Sequence, residues 1–262
     1  MTQAFNRDCL EAMREFPDKF FDLAVVDPPY GDGSSQNVQV EREPEAVEPL
    51  RSAVRPIQAP DGRDGTCQAD KLVTHTHTHT HGATRTGGTW AEKYAKKIIA
   101  WDVAPGKEYF DELFRVSRNQ IIWGGNYFDL PPTRCFLVWR KLSISESFSM
   151  AMAEYAWTSF NDNAKVFEAA PQGTAADPRF HPTQKPIALY SWIFSRYAKP
   201  GDKILDTHLG SGSSRIAAYD AGVDFWGYEI DKTYFDLQEE RFAKHTAQQN
   251  LFLQEGLWNT TP

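Results

Sequence analysis

Residues 203–221 limit the fold more than any other part of the chain. Lys203-Ile204-Leu205-Asp206 has the length and apolar content of a short buried strand, and it ends in an acid. Gly210-Ser211-Gly212-Ser213-Ser214 then opens a helix that runs through Ala221. Glycines allow close backbone approach to a ligand, and a helix N-terminus supplies free N–H groups. A strand, a glycine loop and a helix in succession form half of a βαβ unit, the connection that parallel strands require.

The rest of the chain repeats this alternation. FFDLAVV (20–26) is an apolar run of strand length that stops at Asp27-Pro28-Pro29, because two prolines cannot continue a central strand. NQIIW (119–123), CFLVW (135–139), EYAWTSF (154–160) and DFWGYEI (224–230) are further strands. Helical spacing marks 8–16, with Leu10, Met13 and Phe16 on one face, and 105–118, with Tyr109, Phe110, Leu113 and Phe114 inward. It also marks 90–101, 186–198 with Pro186 at the first position, and 231–245. The pattern predicts an α/β sheet, mostly parallel. Residues 31–89 differ: four prolines (Pro44, Pro49, Pro56, Pro60), DGRDG and a Thr/His repeat stand there without a sustained apolar period. A compact domain rarely carries a loop this long unless it is functional or disordered, so this segment reads as an insertion. The expected organisation is one domain over 1–245, interrupted at 31–89, and a polar tail over 246–262.

Charge and cysteine content narrow the partners. No apolar run approaches about 18 residues, so no transmembrane helix is expected. The start of the chain, with Asp8 and Glu11, does not resemble a secretory signal. The net charge is −7, whereas a protein that holds nucleic acid by overall charge is basic. DNA contact would therefore be transient or fall to local groups, Arg85, Lys93, Lys96 and Lys97, or Arg134, Arg140 and Lys141; a solvated helix face is the alternative for the lysines. Cys9, Cys67 and Cys135 are too few and scattered for a disulfide framework or a zinc finger, which fits a reducing, cytoplasmic compartment. His75, His77, His79 and His81 alternate with threonines and share one face of an extended chain. Such a face could bind zinc or nickel adventitiously; a solvated low-complexity loop is the favoured reading, and no physiological metal site is expected.

Two constellations carry chemistry. Glu229 follows Asp206 at the end of the next strand, where an acid can accept hydrogen bonds from two ribose hydroxyls. Glycine loop and acid together point to a nucleoside-containing cofactor; the alternative is a tight turn of any α/β protein. A dinucleotide fingerprint would want a third glycine near position 215, where Arg215 stands. Asp27-Pro28-Pro29-Tyr30 follows a buried strand directly. The Asp27 carboxylate and the Pro28 carbonyl can both accept from one exocyclic amine, and Tyr30 can stack on a flat base. Orienting an amine in this way is what methyl transfer to nitrogen requires. Asn126 and Tyr127, just past a strand end and Gly124-Gly125, line the same region.

These pieces, with RDCLEAM (7–13), WGGNYF (123–128), AEYAWTS (153–159), HPTQKP (181–186) and GYEID (227–231), closely resemble the S-adenosylmethionine-dependent amino-group DNA methyltransferases in their permuted (beta) arrangement. The likeness covers about 1–31 and 90–245, and is greatest to the short adenine-N6 enzymes often carried by phages and mobile elements. It implies a Rossmann-like methyltransferase fold, a seven-stranded, mostly parallel sheet with helices on both faces. By the resemblance, Asp27, Pro28, Pro29 and Tyr30 are catalytic. Asp8 and Cys9 contact the cofactor adenine, and Thr183 and Lys185 lie beside its methionine moiety. Asp206, Thr207, His208, Gly210, Ser211 and Gly212 form the cofactor loop, and Glu229 binds the ribose. Asn126, Tyr127 and Arg140 are the candidate substrate contacts. The family loop commonly has Pro-Phe where this chain has Thr207-His208, and the histidine can stack in place of the phenylalanine. The implied partner is double-stranded DNA, in a bacterial or phage-infected cell; a homodimer is left open. Cytosine N4, an RNA base, and a catalytically silent DNA-binding relative are the alternatives to adenine N6.

Overall fold

The computed structural model describes residues 1–31, 103–146, 151–171 and 177–254. The expected insertion at 31–89 (beyond Gly31), the expected helix at 90–101 and the histidine repeat lie outside them. Among the described residues eight strands form one sheet in the order β1-β8-β7-β2-β3-β5-β4-β6. The strands are β1 (Thr2–Phe5), β2 (Phe21–Val26), β3 (Ser117–Trp123), β4 (Phe136–Lys141), β5 (Ala153–Thr158), β6 (Lys165–Ala169), β7 (Lys203–Asp206) and β8 (Asp224–Tyr228). Every pairing is parallel except the two that β5 makes, with β3 and with β4.

The sheet has eight strands where seven were expected. Neither β1 nor β6 stands out in the sequence. TQAF and KVFEA are short edge strands without an apolar run, and β6 leaves Val166 59% exposed. Thr2–Phe5 is half-buried along its whole length and Lys165–Ala169 alternates half-buried with exposed residues, so both lack the continuous hydrophobicity that marks strands buried on both faces.

Helices cover both faces. On one, α3 (Ile187–Tyr197) and α4 (Ser213–Asp220) pack Leu189, Ile193, Phe194 and Ala218 against Leu23, Val25, Ile121 and Ile204. On the other, α1 (Cys9–Arg14) and α2 (Lys107–Val116) pack Met13, Tyr109, Leu113 and Val116 against Ala24, Val26, Ile122 and Leu205. Successive strand residues thus divide between two cores, as a period of two requires. Pro186 stands one place outside α3, as its extended N-cap (ψ 143). The last helix, α5 (Lys232–Gln254), runs past 246, where a polar tail was expected.

Strands β2 and β7 are parallel neighbours, paired at Leu23–Ile204 and Ala24–Leu205. After β2 the chain goes on to β3 on one side; after β7 it goes on to β8 on the other. Their C-terminal loops diverge and leave a crevice, the place where open α/β sheets bind ligands.

Leu205 is fully buried at this junction. Leu205→Ala is expected to lower unfolding free energy by about 2–5 kcal/mol through lost contacts and a residual cavity. Val166→Ala on the exposed edge should change it by less than about 0.5 kcal/mol. Urea unfolding of both variants checks this contrast.

Candidate active site

Asp27-Pro28-Pro29-Tyr30 leaves the end of β2. The Tyr30 hydroxyl donates to Asp27 Oδ1 (3.0 Å). Burial, then the negative charge of Asp27, pushes that hydroxyl well above its ordinary pKa, so it remains a donor. The Tyr30 ring lies in a slot. Tyr127 stacks on it at 4.5 Å and 13°, and Phe128 meets it edge-on. Gly124, in the left-handed region at φ +66, touches it so closely that a Cβ there would fall 2.1 Å from Cε1. The turn Gly125–Tyr127 after β3 is therefore shaped around Tyr30.

Asp27 Oδ2 meets the ammonium of Lys185, which also lies 3.0 Å from Glu154 Oε2. Lys141 holds the other Glu154 oxygen at 2.6 Å. The Lys185 side chain is 3% exposed and its Nζ lies 5.3 Å from the centre of the Trp123 ring. Burial pushes the Asp27 carboxyl upward and Glu154 adds to this, against the pull of Lys185. Burial would raise Glu154 too, but the ammonium groups of Lys185 and Lys141 outweigh it and hold that carboxyl at about 2.

The glycine loop lies across the crevice from this cluster. Gly210 (φ +52) and Gly212 (φ +73) adopt backbone conformations that side chains resist. Asp206, 2% exposed, braces the loop: it accepts from the His208 N–H (3.0 Å) and from the Ser214 hydroxyl. Burial lifts its carboxyl to about 7 despite those bonds. Glu229 accepts from the N–H groups of Gly210 and Asp231, each at 2.8 Å and each on a different oxygen. A carboxylate oxygen has two acceptor positions, so both retain one for a ligand. Arg241 on α5 donates to the Ser211 carbonyl (2.7 Å) and the Ser213 hydroxyl (2.9 Å) and forks onto Asp177. Arg215 points away from the loop to Gln238 and Glu239 on α5, so its bulk does not obstruct the turn.

The remaining expected cofactor residues gather at the same mouth. Asp8 caps α1, accepting from the Glu11 N–H (2.9 Å). Burial, then the charge of Asp8, pushes the Cys9 thiol up to about 12, which keeps it protonated and unsuited to nucleophilic attack. Tyr109 on α2 shares a 2.6 Å hydrogen bond with Thr207 and meets the His208 ring at 5.5 Å. Thr183 is exposed and bonds His181 Nδ1 through its N–H (3.3 Å). Burial, then Arg179 and Lys185, drives the buried His181 imidazole down to about 3. Two left-handed glycines, a carboxylate with spare acceptor positions and an aromatic rim fit a nucleoside with ribose hydroxyls.

Asn126 and Tyr127 reach the rim, both exposed. Arg140 does not join them. It points out of β4 and pairs with Glu168 at 2.6 Å, while Lys141, next along the strand, turns inward. Strand alternation separates the two, and spacing alone could not say which faced the site. The sequence did not single out Glu154: it stands in an aromatic-rich strand, and its ion-pair partners come from two distant segments.

A DNA methylase family profile (N6_N4_Mtase) matches residues 66–240, two-thirds of the chain. The chain belongs to that family. The match takes in Glu154, Lys185, the glycine loop and Glu229; Asp27–Tyr30 precede it. The chain is 24% identical to the type II methyltransferase M2.MboI of Moraxella bovis over 253 residues, 92% of this chain and 88% of that one. A local match to the type II methyltransferase M2.DpnII of Streptococcus pneumoniae is 39% identical over 61 residues and spans 23% of each chain. Among solved structures, the cytosine-N4-specific PvuII DNA methyltransferase shares the fold, with a TM-score of 0.52 and 12% identity over 97% of this chain and 94% of that one. Among the described residues no helix is long and apolar enough to cross a membrane.

Burial pushes the His208 imidazole down to about 4, against the opposing charge of Asp8. In the unfolded chain it titrates at about 6.5. Between these values the unfolded chain holds a proton that the folded protein refuses, so acidification across this window favours unfolding. His208→Gln is expected to lose less stability than the parent protein as pH falls from about 6.5 to about 4. Urea midpoints across that range measure the difference.

Proposed function

We propose that this DNA methylase modifies adenine N6 in double-stranded DNA, with S-adenosylmethionine as methyl donor. The observation that carries the reading is the joint placement of the Asp27 carboxylate and the Tyr30 ring at the end of β2, beside the β7 glycine loop. In the family this sequence resembles, aspartate at the first position of the tetrapeptide favours adenine, and serine is more usual for cytosine N4.

A base inside a duplex cannot reach such a crevice, so the target nucleotide is flipped out. The Asp27 carboxylate and the Pro28 carbonyl accept the two N–H bonds of its amine, and Tyr30 supports the ring from one face. S-adenosylmethionine, when bound, supplies an electrophilic methyl group. Gly210, Ser211 and Gly212 offer backbone to it and Glu229 accepts from its ribose; Thr207 and His208 belong to the same loop, and Asp8 and Cys9 contact the cofactor's adenine. The transfer leaves the base nitrogen with a proton to lose, and the upward-shifted Asp27 carboxylate stands beside it to accept that proton. Positioning and exclusion of water supply most of the rate. Asn126 and Tyr127 contact the nucleotide at the rim.

Incubation with tritiated S-adenosylmethionine and unmethylated duplex DNA, followed by mass spectrometry of nucleosides, tests this. N6-methyladenine is expected from the parent protein, and Asp27→Ala should lower the rate by at least about a hundredfold. N4-methylcytosine would assign the other amine; label in RNA alone would reject DNA as the acceptor. Cofactor binding in calorimetry without transfer to any nucleic acid would sink the catalytic reading.

A further inference from the structure

Lys185 has two carboxylate partners where one would neutralise it. Asp27, Lys185, Glu154 and Lys141 form a line of alternating charge drawn from the end of β2, the segment before α3, the start of β5 and the end of β4. Each Asp27 oxygen already accepts one bond, Oδ1 from Tyr30 and Oδ2 from Lys185, and keeps one further acceptor position for the amine. A charged ammonium is a stronger donor than a neutral amine, so an undivided Lys185 would draw the Asp27 charge to itself and weaken the bond that the amine receives. Glu154 draws the same ammonium the other way, and Lys141 limits how strongly it does so.

We propose that Glu154 is a positioning residue: by sharing the Lys185 ammonium with Asp27, it leaves an Asp27 carboxylate oxygen able to accept the amine of the target base. This rests on the methyl-transfer reading above. The charged groups that face Asp27 are Lys185, Glu154 and, more remotely, Asp206; Tyr30, Tyr109 and Tyr190, also near, are held protonated by burial. Removing Glu154 takes away a like charge and gives Lys185 wholly to Asp27, so the Asp27 carboxyl should titrate lower. Removing Lys141 frees Glu154 to pull harder on Lys185, so the Asp27 carboxyl should titrate higher.

Full-length protein labelled with 13C at the aspartate side-chain carboxyl, its Asp27 signal assigned with Asp27→Asn, reports this titration without cofactor or DNA. Glu154→Gln should lower the Asp27 midpoint by roughly one pH unit and Lys141→Met should raise it by a similar amount. In single-turnover methyl transfer Glu154→Gln should be slower by about tenfold, with S-adenosylmethionine affinity by calorimetry unchanged and partial rescue in Glu154→Asp. A merely structural role would move neither midpoint. Midpoints that stay put in Lys141→Met and in whichever Glu154 variant folds overturn the proposal, as does a shifted midpoint with an unchanged transfer rate. Shifted midpoints in a parent protein that methylates no DNA support the electrostatic coupling and overturn the methyl-transfer reading.

Discussion

Strands β2 and β7 are hydrogen-bonded side by side in the same direction, and the chain departs from them toward opposite edges of the sheet. That adjacency brings residues 27–30 and 206–214, far apart in sequence, to one crevice. It depends on two buried surfaces at once. Leu23 and Ile204 belong to the core beneath α3 and α4, while Ala24 and Leu205 belong to the core beneath α1 and α2. Loss of either core would separate the two loops, so the site's geometry is inherited from packing on both sides of the sheet.

Within the crevice, two carboxylates have unlike tasks. Asp206 is almost wholly enclosed and spends its oxygens on the loop that follows it. Asp27 lies in an ionic line whose members neutralise one another in pairs. Buried charges are tolerable only when so compensated, and loss of one partner is costlier than loss of the pair. The line therefore ties the position of Asp27 to three other segments of the fold. The loop is braced differently, by the Arg241 guanidinium and by the paired N–H groups on Glu229.

Much of this was legible in the sequence. The α/β class, six of the eight strands and the two chemical constellations follow from apolar runs, prolines and glycines, because these record burial and backbone conformation directly. The edge strands Thr2–Phe5 and Lys165–Ala169 left no such record, since neither holds a fully buried residue and incomplete burial permits polar side chains. The choice between Arg140 and Lys141 depended on strand phase. The roles of Glu154 and Asp206 depended on partners that only the folded chain supplies. A carboxylate that keeps acceptor positions spare and one committed to bracing a loop look alike in sequence; their hydrogen-bond partners separate them.

The contact between Gly124 and Tyr30 reaches beyond the site itself. A residue with no side chain and a ring that fills the space it leaves are a matched pair, set by one shared volume. Position 124 cannot drift alone: a side chain there would need a smaller residue at 30. Among homologues a residue larger than glycine at 124 should therefore appear only with a smaller residue at 30, a dependence that spans more than ninety residues of chain.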